Sequence, residues 1–214
     1  MFGTRNKSRR RTVGAALAAA ALILVATAGQ AAAYDGNAAA NYADIWAKAR
    51  NSDYPAFDAD CTNFVSQAVS HGGFSMVNYL QSPNSVYSWW IERAVGSQFS
   101  WSLTWSVANS YYNFLLAYSP GGVREGTAPG TATNYYTPDS VITGDVLFYD
   151  WGQGEGISHA AIQTGIGTDF SGFYGNYVDY HTTDRYHAFW SLVMYNSLAS
   201  TTTVYFVHIF PNNY

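Results

Sequence analysis

Apolar positions recur at helical spacing in the first half of the chain and at strand spacing in the second. Between Asn37 and Ala49, Ala40, Ile45 and Trp46 supply apolar positions whose side Tyr42 and Ala49 can share, which predicts a helix. Cys61 to Ser70 carries Phe64, Val65, Ala68 and Val69 at helical spacing, with Asp60 as a candidate N-cap and Gly72-Gly73 as the stop. Ser85 to Ala94 and Thr104 to Tyr118 are further helix candidates, the second with Trp105, Ala108, Tyr112 and Leu115 on one stripe. Ser119 to Pro138 is rich in Gly, Pro and Thr and reads as a long surface loop. Beyond residue 140 the segments turn short and β-branched or aromatic, between glycine and polar turns: Asp145–Tyr149, Ser158–Gly165, Tyr177–Thr182 and Thr203–Phe210. Trp151 to Gly156 is short enough to link the first two as a hairpin. Helices followed by strands predict an α+β domain, with helices on one side of an antiparallel sheet.

Residues 1–33 read as an export segment. Arg5, Lys7, Arg9, Arg10 and Arg11 form a basic stretch, Val13 to Ala28 is apolar, and Ala31-Ala32-Ala33 offers the small residues of a cleavage site. The apolar run is short of the roughly 20 residues that span a bilayer. The expected mature domain is 34–214, secreted and not membrane-bound once cleaved. It keeps Lys48, Arg50, Arg93, Arg124 and Arg185 against all 14 acids, five against fourteen, a net charge of −9. That balance argues against nucleic acid or an anionic surface as partner, since both need clustered basic residues. At 181 residues the domain is large enough to bury a core without disulfide or metal staples, and a monomer is expected.

Chemistry concentrates on Cys61, the single cysteine. In an exported chain it cannot form an internal disulfide, so a working thiol is one of few roles left. A helix start favours the thiolate through unpaired N–H groups and the positive dipole end. Cysteine-based acyl transfer also needs a base, a group that orients the base, and donors for the oxyanion. His159 opens a strand after a glycine-rich turn and is the candidate base. The orienting residue is expected from the strand Tyr177 to Thr182, where Asp179 and His181 share one face; His181 is favoured, with Asp179 and then Asn176 as alternatives. The Cys61 N–H is the first oxyanion donor, and Tyr54 or Asn51 could supply the second. His71, His187 and His208 have no evident chemical partner, and the histidines show no metal-ligand spacing, so neither metal nor cofactor is expected.

Three runs together resemble the secreted bacterial "putative amidase" domain family. They are Asp60 to Gln67 followed by Gly72-Gly73, Gly144 to Trp151 followed by Ile157-Ser158-His159, and Tyr180-His181-Thr182 with Asp184-Arg185. The Gly-Asp strand before the histidine also recurs across the papain-like superfamily, in NlpC-type peptidases and CHAP amidases. The resemblance implies a papain-like α+β fold and a Cys–His amidohydrolase or peptidase, often directed at cell-wall peptides. It implies Cys61 as nucleophile, His159 as base and His181 as third residue. Cys61 is followed by Thr-Asn where NlpC-type enzymes have Ser-Gly, so their substrate preferences do not transfer. The expected partner is a peptide or amide substrate, with peptidoglycan the candidate source. Two rivals use the same features differently: a glycan-binding module presenting Trp89, Trp90, Trp101, Trp105 and Trp151, and an acyltransferase using the same Cys–His pair.

Overall fold

Residues 1, 3, 33–78, 82–94, 96, 98–119 and 121–211 are described by a computed structural model. Apart from residues 1, 3 and 33, the segment expected to direct export lies outside the described residues. Among those described, no helix is long and apolar enough to cross a membrane.

Helix α1 spans Gly36–Trp46. Asp35 caps it from extended backbone, its carboxylate accepting the N–H groups of Asn37 and Ala38. Its buried side is Ala39, Ala40, Tyr42 and Ala43. Ile45, expected to face inward, is 70% exposed. Helix α2 spans Cys61–His71, and every residue from Cys61 to Val69 is buried. Its end is a Schellman turn: Gly73, at φ +91°, donates to Ser70 and Phe74 donates to Val69. A helix enclosed on all sides must satisfy its polar side chains internally. Asn63 donates to the Pro55 carbonyl and accepts from Trp105 Nε1; Ser66 donates to the Trp105 carbonyl and accepts from Trp89 Nε1; Gln67 accepts from the Tyr42 hydroxyl. The polar letters in the cysteine motif are therefore core hydrogen-bonding groups.

The helix expected over Ser85 to Ala94 is absent. The segment runs extended: Trp89 exchanges both backbone hydrogen bonds with Val77, and strand β1 (Ile91–Arg93) pairs with β2 (Phe99–Trp101). Extension lets the fully buried Trp89 pack on Phe74, Trp105, Tyr111 and Phe114, so tertiary burial overrides local periodicity. The next helix is split at Val107, whose extended backbone (φ −120°, ψ 120°) separates α3 (Leu103–Ser106) from α4 (Ala108–Ala117). Its expected stripe of Trp105, Ala108, Tyr112 and Leu115 is buried throughout.

Six strands form the main sheet: β3 (Gly122–Pro129), β4 (Val146–Asp150), β5 (Ile157–Thr168), β6 (Tyr174–Tyr180), β7 (Arg185–Phe189) and β8 (Thr203–Ile209). Their order is β3-β8-β4-β5-β6-β7, every neighbour antiparallel. Strands β3 and β7 escape the sequence pattern because both are edge strands, half-exposed and mixed in polarity; β3 replaces part of the expected loop and carries a bulge at Arg124/Gly126. One sheet face, with Val146, Phe148, Ala160, Ile162, Val207 and Ile209, packs on the helices. The other, with Leu147, Tyr149, Ala161, Val178, Tyr180 and Phe206, is covered by Trp190, Leu192 and Val141. The fold is mixed α+β around an antiparallel sheet.

The start of α1 touches the turn into β4 without side chains between them. A Cβ on Gly144, itself at φ +94°, would lie 2.2 Å from the Gly36 Cα. Gly154, in the β4–β5 turn at φ +87°, has nothing within 4 Å of its notional Cβ. Gly144→Ala is therefore expected to lose about 2–5 kcal/mol, and Gly154→Ala only about 1–2 kcal/mol of backbone strain. Urea unfolding of both variants checks this; equal losses would refute the close contact.

Candidate active site

Cys61 is the first residue of α2, and its sulfur lies where that helix meets the start of β5. As the first helical residue its N–H has no acceptor within the helix. The position is held from behind by Asp60, which is fully buried. Asp60 does not cap α2 as expected; its backbone is not extended and its carboxylate makes no cap bond. Instead, Oδ1 accepts the Phe57 N–H and Asn63 Nδ2, while Oδ2 faces His181 Nδ1 at 2.6 Å and Arg50 Nε at 3.0 Å. The Asp60 N–H donates to Thr182 Oγ1. Arg50 in turn forks onto both oxygens of Asp184.

His181 is thereby placed away from the base it was expected to orient. Its Nδ1 meets Asp60 and its Nε2 meets the Trp46 carbonyl at 3.0 Å, so both ring nitrogens face oxygens on the helix side. The ring also stacks on Phe64, 4.0 Å between centroids. Asp179 is also on the helix side, accepting the His187 N–H at 2.6 Å and the Thr164 hydroxyl. Alternation along β6 is as read, but the face is the wrong one. His159 lies on the opposite side with Tyr149, Trp151 and Tyr180, at ring separations of 5.5, 5.3 and 4.8 Å. Asn176, the remaining alternative, is spent on the Thr137 N–H and Gly165 carbonyl.

Tyr54 and Asn51 are likewise engaged elsewhere. The Tyr54 hydroxyl pairs with His71 Nε2 at 3.2 Å, and its ring stacks on Trp105. Asn51 donates to the Tyr42 hydroxyl and accepts the Asp53 N–H. Neither lines the cleft at Cys61. That cleft, about 230 Å³, is walled by Cys61 and His159 together with Ala59, Trp151, Ser158, Tyr180, Thr182, Thr183, Arg185, Leu192, Tyr195 and Asn196. Sequence reasoning missed Tyr180 and Arg185 as cleft residues and offered Trp151 only as part of a glycan-binding surface. Tyr180 was legible in principle, as the β6 residue facing away from Asp179. Trp89, Trp90 and Trp105 are buried core residues rather than a presented surface.

Both reactive groups are desolvated, each 5% exposed. Burial raises the Cys61 thiol above its ordinary value, against the opposing pull of the Ala160 and Thr62 N–H groups and the Thr62 hydroxyl. The helix start thus does not win over burial. Burial alone lowers His159 to about 3, and its Nε2 is buried with no hydrogen-bond partner. The thiol and the imidazole that wall this cleft are both neutral at rest. A neutral ring can take one proton, and the uncommitted Nε2 leaves the ring without a fixed orienting partner.

A profile of the family described as "Putative amidase domain" matches residues 33–206. The chain belongs to this family. The amidase domain is similar to two proteins of Bacillus subtilis (strain 168), both named as uncharacterized. YhbB is 33% identical over 135 residues, 63% of this chain and 38% of YhbB. YjcM is 30% identical over 166 residues, 76% of this chain and 34% of YjcM. The chain thus matches little more than a third of the length of either relative. No solved structure matches it.

The three remaining histidines gain partners that their spacing concealed. His71 meets Tyr54, and His208 Nδ1 meets the buried Asp145 at 2.9 Å. His187 Nε2 meets Asp44 at 3.0 Å. Asp44, Asp179 and His187 bring one ligand atom each within 4.8 Å of one another, a set that could hold a divalent cation; Asp179 Oδ1 accepts the His187 backbone N–H, while Asp179 Oδ2 is buried without a hydrogen-bond partner.

The buried neutral His159 has a consequence for acid stability. The unfolded chain binds the proton near pH 6.5, whereas the folded amidase domain binds it only near pH 3. The stability contribution is complete above pH 6.5 and is lost as pH falls through that window. Relative to His159→Gln, the wild type is expected to lose about 1.4 kcal/mol per pH unit between these limits. Urea unfolding of both proteins at pH 7 and pH 4.5 measures the difference; parallel pH dependence would exclude a buried neutral ring.

Proposed function

We propose that the amidase domain is a secreted, papain-like cysteine amidohydrolase acting on an amide bond, with cell-wall peptide as the candidate substrate. One observation carries the proposal: Cys61 and His159, from opposite halves of the chain, wall the same cleft. Family membership supports amide chemistry. The wall as target rests on the export segment and the family resemblance.

The chemistry follows from the neutral resting pair. As the Cys61 sulfur attacks the carbonyl carbon, its proton passes to His159 and the carbonyl electrons move to oxygen. The Cys61 N–H faces the oxyanion from the helix start. Collapse breaks the C–N bond, and the His159 imidazolium gives its proton to the departing amine. Water then attacks the thioester, losing a proton to His159, and the acid leaves as sulfur recovers that proton. Proton transfer coupled to attack suits this site better than a resting ion pair, because burial disfavours both charged forms. Among the cleft residues, Ser158, Thr182 and Thr183 carry hydroxyls that can serve as the second oxyanion donor, whereas Asn196 is engaged with Thr202 and Leu198. Acyl transfer to an amine in place of water needs the same residues and is separated by supplying an amine and looking for new amide product.

Incubation with purified peptidoglycan and with peptide anilides is expected to release primary amine or aniline. Cys61→Ala should reduce turnover by about 10³-fold or more and His159→Gln by a comparable factor, with unchanged circular dichroism. His181→Gln should instead lower stability, by about 3 kcal/mol, because the buried Asp60 carboxylate loses a hydrogen-bond partner. Turnover retained in folded Cys61→Ala would end the proposal.

A further inference from the structure

The cleft beside Cys61 contains one cationic side chain and no acidic one. The cation is Arg185, in a domain whose acids outnumber its basic residues fourteen to five. With carboxylates in such excess, an arginine ordinarily finds one, as Arg50 does with Asp60 and Asp184. Arg185 does not: among the described residues no carboxylate lies within ion-pair distance of it. Its immediate neighbour Asp184 is committed to Arg50.

The guanidinium is nonetheless fixed in place. Arg185 pairs in register with Tyr180 across β6 and β7. It lies 4.3 Å from the centroid of Tyr195 and 5.3 Å from that of Phe170. Tyr195 is itself held, its hydroxyl bonded to Asp169 and Ser171. Arg185 Nε is buried and has no hydrogen-bond partner. The Tyr180 hydroxyl takes a hydrogen bond from the guanidinium, and the aromatic platform satisfies part of the charge but none of the remaining planar N–H donors. An ordered guanidinium with donors left over beyond the bond to Tyr180, in a cleft free of acids, is a carboxylate receptor.

We propose that Arg185 binds a carboxylate of the substrate, so that the amide presented to Cys61 belongs to a molecule with an acidic group near the bond attacked. The assignment rests on the catalytic reading of Cys61 for its link to turnover, but not for the binding itself. The acidic group can be a side chain or a chain terminus, and both present the same planar anion.

Because the chain has one cysteine, alkylation reports Cys61 alone. Labelling of the full chain with iodoacetate and with iodoacetamide, followed by mass spectrometry, compares an anionic reagent with a neutral one at the same sulfur. Arg185→Gln is expected to lower the iodoacetate-to-iodoacetamide rate ratio by about tenfold, and Arg185→Lys by less, since it keeps the charge without the fork. An unchanged ratio overturns the proposal. Calorimetry with N-acetylisoglutamine and N-acetylglutamine needs no reactive thiol and decides the matter if Cys61 is inert. At least one should bind the wild type, with affinity about tenfold weaker on Arg185→Gln, and the preferred one tells a side-chain from a terminal carboxylate. Binding of neither, or binding indifferent to Arg185→Gln, overturns it. Where Arg185→Gln fails to fold, Arg185→Lys serves in both measurements, with an expected loss of several-fold. Carboxylate binding without any amide turnover would remove the catalytic reading and leave this one standing; Cys61-dependent turnover with an unchanged ratio would do the reverse.

Discussion

A single buried carboxylate holds the candidate site together. Asp60 has no solvent contact, so its carboxylate is tolerable only because the Arg50 guanidinium and the His181 ring meet one oxygen and two further donors reach the other. Breaking such a set leaves a buried charge uncompensated, which costs several kcal/mol. Each partner comes from a different part of the chain: Phe57 from the preceding loop, Asn63 from α2, His181 from the end of β6. His181 carries the constraint further, to the carbonyl of Trp46 at the end of α1. The residue after Asp60 is Cys61. The sulfur is therefore located by α1, α2 and the sheet together, not by its helix alone.

The opposite wall is built on another principle. His159 is surrounded by the rings of Tyr149, Trp151 and Tyr180, which exclude water but offer its Nε2 no partner. One side of the cleft is thus fixed by charge and hydrogen bonds, the other by shape and desolvation. The two sides meet at the first turn of α2 and the first residues of β5. Desolvation keeps thiol and imidazole neutral at rest, so in the proposed mechanism charge develops only as a substrate is attacked. Arg185 adds the one full charge on the cleft wall, steadied by the faces of Tyr195 and Phe170.

Much of the frame was readable from residues. The α2 start and stop, the Trp105–Leu115 stripe, four of the six sheet strands and the β4–β5 hairpin follow from periodicity and glycine placement. The misses share a cause. Trp89 and Ile91 take an extended path because burial against Phe74 and Phe114 outweighs a local helical pattern. Strands β3 and β7 lie at the sheet edges, where one side of the backbone and many side chains meet solvent, so the alternation that marks a strand is diluted. Within the site, alternation correctly grouped Asp179 with His181, yet it carries no information about which group faces His159.

The sequence by itself determined that one thiol opens a helix and one histidine opens a strand, and that the charge left over is acidic. Those are properties of neighbours along the chain, set by helix and strand periods and by residue counts. Only the tertiary structure decided that the two groups share a cleft, that His181 serves Asp60 instead of His159, and that Arg185 stands without a carboxylate among the described residues. Such matters depend on sheet order and on which face the helices cover, and both are settled by burying apolar surface across the whole domain.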